Sequence, residues 1–368
     1  GAVRWLSGAV RALHVWWAAD PLPNERDPLS PDLDASRVEA KSRSWRAWVL
    51  QQPDRVPIDA IRFHSSSPED GVWTATWDGR NVNAVEFDCT SSRQLDAMLR
   101  EIRFLKLMRH PNILQLLAVT VIPDRDVVFV LTDVFRASMA AYLRDPILQT
   151  ELRELTLREQ LTLALGAVRA TQYLHSFSPC TLHRCLTPES FLLDSAARLI
   201  VLSNFREACT EEDSETCPVK DPPPERFLAP ELFTGGRNST SSDIFCLGVT
   251  LSELLAGTEL FQGSRYSEYL PTARFILESM MAPEPGDRPN VGNVLDLFRQ
   301  LNTQVRAASD SSSSGSASRT SRSSSYSINP HRTAQVPENV YGDMPSLHSI
   351  QADLSSGQGL IIFKPTSD

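Results

Sequence analysis

In "LHRCLTPESFLLD", residues 182–194, His183 and Arg184 precede Cys185, and Thr187 and Ser190 follow closely. Asn204, Phe205 and Arg206 come next, after a short apolar run. A free thiol with a pKa near ~8.5 is mostly protonated at neutral pH and does not replace a carboxylate that orients a hydroxyl. Ser190 and Asn204 offer neutral oxygens, whereas a hard cation such as Mg²⁺ needs carboxylate charge. The stretch has the layout of a hydroxyl- and metal-handling loop with its carboxylates missing. No other part of a thiol enzyme is evident, so Cys185 is expected to be inert or structural.

Other chemistry-bearing positions lie on either side. Upstream is "SSSPEDGV", where Ser65, Ser67 and Asp70 stand at positions that a phosphate-cradling loop fills with glycine; Gly71 is an alternative, shifted glycine. Side chains there hinder close backbone approach. "NAVEF" follows, with Val85 and Glu86 side by side. The lysines are Lys41, Lys106, Lys220 and Lys364, so no lysine neighbours them. Glu101 lies within "SRQLDAMLREIRFLKLM", and downstream are Glu231 in "APELF", Asp243 in "SSDIFCLG" and Arg288 in "GDRP".

The elements that position these residues follow from periodicity. Short β-type runs dominate from Val56 to Val134: "IDAIRF", "GVWTATW", "NVNAVEF", "LLAVTVI" and "VVFVLTDV". One helical pattern interrupts them, with apolar residues at 95, 98, 99, 102, 105 and 108. Helical patterns dominate from 138 to 305, broken by short strands such as "ARLIVLS". Strands first and helices afterwards predict an α+β chain of two segregated lobes.

In order, "VWTATWDGRNVNAVEF", "LREIRFLKLMRHPNILQLLAV", "HRCLTPESFLLD", "VLSNFREA", "RFLAPELF", "SSDIFCLGVTLSELLAG" and "APEPGDRP" resemble the protein-kinase fold, closest to its tyrosine-kinase-like branch. The resemblance covers residues 58–302. It implies a bilobal domain over 58–304, with a β-rich N-lobe at 58–134 and a helical C-lobe at 135–304.

A kinase needs a strand Lys held by a helix Glu, an Asp that accepts the substrate proton, and an Asn and a second Asp that hold Mg²⁺. By resemblance, Glu86 stands at the Lys position facing Glu101, or Val85 does in an ungapped register. Cys185 stands for the Asp base, Thr187 for a Lys, Ser190 for the Asn and Asn204 for the metal Asp. Like charges at Glu86 and Glu101 imply an outward rotation of the helix or an intervening Arg. Arg206 has the reach to pair with either carboxylate. The architectural parts are kept. Glu231 pairs with Arg288, Asp243 accepts backbone amides of the loop, and Leu105, Leu116, His183 and Phe205 stack as a spine. Val72, Ala84 and Leu192 match the adenine-facing residues, and Thr132 sits at the gatekeeper with 133–135 as hinge. Only about thirty residues separate Gly257 from Arg288, fewer than the family usually has, so the small helix there is expected to be reduced.

The net charge of −9 disfavours nucleic-acid and anionic-membrane binding. The six cysteines form no C-x-x-C pair, which fits free thiols in a reducing compartment. No apolar run is long enough to span a bilayer. Residues 1–35 read as an amphipathic segment and linker, 36–57 as a helical lead-in carrying Trp45 and Trp48, and 305–368 as a Ser-rich disordered tail. In that tail "SRTSRSSSYS" places hydroxyls beside Arg for a basophilic kinase, and "GLIIFKPTSD" ends it with an apolar patch. The chain begins with Gly and reads as a fragment or processed form. The expected location is cytoplasmic, or the intracellular part of a larger membrane protein.

Three functions fit this pattern. The first is a pseudokinase acting as a scaffold or allosteric regulator of protein partners, such as an active kinase or receptor complex. The others are a divergent Ser/Thr kinase using ATP and a nucleotide-sensing module without catalysis. No cofactor is expected beyond weak ATP binding without Mg²⁺.

Overall fold

The computed structural model describes residues 49, 50, 52–67, 71–122, 125–194, 196–256 and 267–314. The N-terminal segment and linker, Trp45 and Trp48, residues 68–70 of the loop and the tail from 315 onward lie outside the described residues. So does the "GLIIFKPTSD" patch.

The first lobe is a five-stranded antiparallel sheet in the order β1-β2-β3-β5-β4. Its strands are β1 (Ile61–Ser67), β2 (Val72–Trp77), β3 (Arg80–Asp88), β4 (Leu116–Ile122) and β5 (Val127–Thr132). The expected strand "IDAIRF" begins only at Ile61, because Ile58–Ala60 form a 3₁₀ turn after Pro57. Asp78 and Gly79 join β2 to β3 with φ values of 50° and 74°, the two-residue hairpin turn whose twist matches the strands.

Helix α1 (Ser92–Leu107) is capped by Ser91, whose side chain accepts from Gln94 N–H. It buries Leu95, Met98, Ile102 and Leu105 against the sheet. The lead-in expected to be helical is helical only at 49–50 among its described residues. Pro53 ends the helix, and the chain then runs beside the free edge of β4, with Val56 N–H donating to Val119 O at 2.9 Å and Val119 N–H to Asp54 O at 3.0 Å. Lys106 ties this strap to α1 through Asp54 at 2.9 Å and Gln52 at 2.6 Å.

The second lobe begins with β6 (Ala137–Ser138), α2 (Met139–Arg144) and α3 (Pro146–Glu154). Helix α4 (Leu157–His175) follows and packs on the last helix, α8 (Val291–Ser314). Between them lie β7 (Thr181–Leu182), β8 (Phe191–Leu193), β9 (Ile200–Leu202), β10 (Cys209–Thr210), α5 (Pro230–Phe233), α6 (Thr240–Ala256) and α7 (Leu270–Met280). Gly166 lets α4 approach closely, since a Cβ there would lie 2.6 Å from Ile200 and 2.8 Å from Asn112. A reciprocal capping box of Thr156 and Glu159 starts α4. Thr156→Ala is expected to lower stability by about 1 kcal/mol, read as a lower urea midpoint at unchanged slope. The tail boundary expected at 304 is corrected: α8 continues to Ser314, and Val305 is buried in the core, so its apolar stripe extends past the compositional break.

Candidate functional site

The loop after β7 is held from below by one carboxylate. Asp243 on α6 accepts from His183 N–H at 2.9 Å and Arg184 N–H at 2.8 Å, and from His175 Nε2 at 3.0 Å. Burial works to raise the Asp243 pKa, but the His175 bond and the amides outweigh it and hold it below the usual range. His183 is fully buried, and burial lowers its pKa, so the ring is neutral. The ring meets Phe205 edge-on at 5.0 Å between centroids, and Nε2 lies 2.9 Å from Ser203 O. Leu105, Phe205 and the partly buried Leu116 belong to the same core.

Cys185, Ser190 and Asn204 form a closed hydrogen-bonded group. Ser190 Oγ donates to Cys185 O at 2.6 Å, and Asn204 Nδ2 donates to Ser190 Oγ at 3.4 Å. Burial pushes the Cys185 thiol up to about 11, against weaker opposing bonds from Thr187 and Ser190. It is therefore a protonated thiol at neutral pH. Thr187 is itself buried, at 2% exposure. Asn204 has φ 63° and ψ 58°, a left-handed conformation that Asn tolerates better than most residues.

The register of β3 corrects two expectations. Val72 pairs with Val85 and Trp73 with Ala84, while Asn83 pairs with Thr132 and Val85 with Val130. Directly opposed residues share a sheet face. Asn83, Val85 and Phe87 therefore share the face of Thr132, and Val85 and Phe87 join the core that contains α1 and Phe205. Ala84 belongs to the opposite face with Val82, Phe129 and the partly buried Trp73 and Phe63. Glu86 shares that opposite face and accepts from Trp73 Nε1 at 2.6 Å. Glu86 thus does not face Glu101, and Ala84 does not share the face of Val72 and Thr132.

Glu101 falls on the buried stripe of α1, between Met98 and Leu105, so the helix faces inward. Burial pushes its carboxyl up to about 7, while the Arg206 guanidinium and the amides of Phe205 and Asn204 pull it back. Its Oε2 has no hydrogen-bond partner. The Arg206 guanidinium lies 4.7 Å from the Phe87 ring centroid. It borders a cleft of about 650 Å³ lined also by Gly71, Phe87, Ala97 and Asp221.

The segment after Arg206 is fastened to α1. Arg100 pairs with Glu207 at 3.4 Å and donates to Arg206 O, Lys220 pairs with Asp96 at 2.6 Å, and Arg93 pairs with Asp221. Glu207 accepts from Lys220 N–H at 3.0 Å and Asp221 N–H at 3.1 Å. Buried Arg184 adds its side chain, donating to Glu207 O and Cys217 O, both at 2.5 Å. At the segment's far end Arg288 grips Glu231 with two bonds of 2.8 and 2.7 Å, and donates to Ala282 O, Ser241 O and Pro283 O.

Residues 72–298 match the model of the protein tyrosine and serine/threonine kinase family. The chain belongs to this family. Among its relatives, the inactive serine/threonine-protein kinase PLK5 of Mus musculus is 30% identical over 56% of this chain and 36% of its own. Serine/threonine-protein kinase CTR1 of Arabidopsis thaliana is 27% identical over 62% of this chain and 30% of its own. Mitogen-activated protein kinase kinase kinase 7 of Bos taurus is 27% identical over 52% and 31%. The kinase-family chain thus spans about a third of the length of each of these relatives.

Within this kinase-family domain, Val72, Thr132 and the Asn83 side of β3 share one face, and Leu192 packs at the edge of the same core as Val85. Among the described residues no group of three or more His, Cys, Asp or Glu side chains is placed to hold a metal ion. Ser190 and Asn204 bring neutral oxygens and bond each other, a poor fit to Mg²⁺. No helix among the described residues is long and apolar enough to cross a membrane. Sequence reasoning missed Asn83, Trp73, His175 and Glu207. The Asp78-Gly79 turn was the signal for Asn83 and Trp73, since a two-residue turn sets the pairing that follows it.

Proposed function

We propose that this kinase-family chain is a pseudokinase of the tyrosine-kinase-like branch that acts as a scaffold or allosteric regulator of a protein partner. The observation that carries this reading is the inner face of β3, where Asn83, Val85 and Phe87 stand and no cation does. Phosphoryl transfer requires a positive group on the α/β-phosphates and carboxylates for Mg²⁺ and the substrate proton. Val85, Asn204 and Cys185 stand at those positions and supply none of that charge. Each missing electrostatic part typically removes ~10²-fold or more in rate.

The scaffold reading is supported by what holds the shape. Arg100, Lys220, Arg93 and Arg184 fasten the 206–221 segment with internal charge, so that surface does not depend on bound nucleotide or added phosphate. All six cysteines are free thiols, which suits a reducing cytoplasm.

The test is phosphoryl transfer from ATP with Mg²⁺, run beside a thermal-shift titration with ATP with and without Mg²⁺. No phosphorylation above background is expected from the unaltered protein or from Cys185→Asp, because the cation and metal ligands remain absent. Robust Mg²⁺-dependent activity in the unaltered protein would overturn the reading. A Mg²⁺-independent thermal shift with ATP supports a nucleotide-sensing module instead.

A further inference from the structure

Three of the six cysteines gather on one side of the β7–β10 ribbon. Cys209 in β10 lies opposite Leu182 in β7, and Leu182, Cys209 and Cys217 form one buried cluster with Cys180 packed at its edge. The chain leaves β10 through a tight turn, in which Cys217 N–H donates to Asp213 O at 2.9 Å, and this folds Cys217 back against Cys209. Arg184 reaches the same sulfur, with Nη2 3.5 Å from Cys217 Sγ. Among the described contacts no other cysteine sulfur has a guanidinium donor. That contact orients the Cys217 sulfur on the side of the cluster it shares with Cys209.

We propose that Cys209 and Cys217 are a peroxide-sensitive latch that closes a disulfide across the segment between β10 and Lys220. Cys217, under the Arg184 guanidinium, attacks an oxygen of hydrogen peroxide; the O–O bond breaks and a sulfenic acid and one water form. The Cys209 sulfur then displaces that sulfenic oxygen, which leaves as a second water with the Cys209 proton. Two thiols are oxidised by two electrons in all, and one peroxide is reduced to two waters. A small thiol such as glutathione reverses the step through a mixed disulfide. Closure fixes the turn that carries Cys217, whose carbonyl Arg184 holds at 2.5 Å, and so couples oxidation to the segment fastened on α1.

The experiment treats the full chain with hydrogen peroxide, blocks the remaining thiols with iodoacetamide and digests without reductant. A Glu-specific protease cuts at Glu211, Glu212 and Glu215, which separates the two cysteines unless they are bonded. The expected result is a Cys209–Cys217 linked peptide that disappears with dithiothreitol, persists in Cys180→Ser, and accompanies an upward shift of the thermal midpoint. Alkylated Cys209 and Cys217 after peroxide, or a bond from either to Cys180, would overturn the proposal.

Discussion

Replacing Glu101 with glutamine is expected to stabilise the protein by about 3 kcal/mol near pH 8, at ~1.4 kcal/mol per pKa unit, and by under about 1 kcal/mol near pH 5. Burial pushes this carboxyl from its ordinary 4.5 to about 7. Between those values the folded chain keeps a proton that the unfolded chain has released, so stability falls as pH rises through the interval and levels off above it. Glutamine copies the neutral acid and removes the penalty. A strand lysine would remove it differently: Val85→Lys places a cation on the same face and is expected to bring the Glu101 pKa down and flatten the pH dependence. Denaturant unfolding of the three proteins at both pH values checks this. A Glu101→Gln effect equal at both pH values, or a loss of stability near pH 8, would show that Glu101 is ionised and satisfied.

Arg288→Ala is expected to cost about 3–5 kcal/mol, the range for removing one partner of a buried pair. The guanidinium side chain has no exposed surface, and it holds five oxygens from four residues of the C-lobe. It also lies 5.0 Å from the Phe245 ring centroid. Its loss strands the Glu231 carboxylate and three carbonyls together. The Glu231 pKa is lowered, because Arg288 outweighs the opposing effect of burial. Its contribution is therefore present above the unfolded value near 4.5 and is lost as pH falls through the folded one. That acid-side loss is expected to vanish in Arg288→Ala. Guanidinium unfolding should also show the Arg288→Ala and Glu231→Gln effects combining less than additively. Full additivity would mean that the carboxylate is not what Arg288 holds.

Much of the fold was legible because its signals are local. The apolar period of α1 and the short β-type runs of the first lobe each depend on a few neighbouring residues. The Glu231–Arg288 and Asp243 contacts were reached through ordered motifs, since no local rule joins residues so far apart in sequence. Beyond residue 50 the lead-in leaves the helix, because Pro53 and the unpaired edge of β4 outweigh composition there. The tail boundary failed because packing of Val305 outlasts the change in composition.

The sequence by itself determined which groups are absent: no lysine between Lys41 and Lys106, no acid at 185 or 204, and a thiol and an amide in place of those acids. Those absences are facts of residue type and need no coordinates. Tertiary structure alone decided which face each β3 residue joins. Side chains alternate with a period of two, so a slip of one residue exchanges Glu86 for Val85 on the face that meets Glu101. Only the hydrogen-bonded ladder running from the Asp78-Gly79 turn to Thr132 selects between those registers.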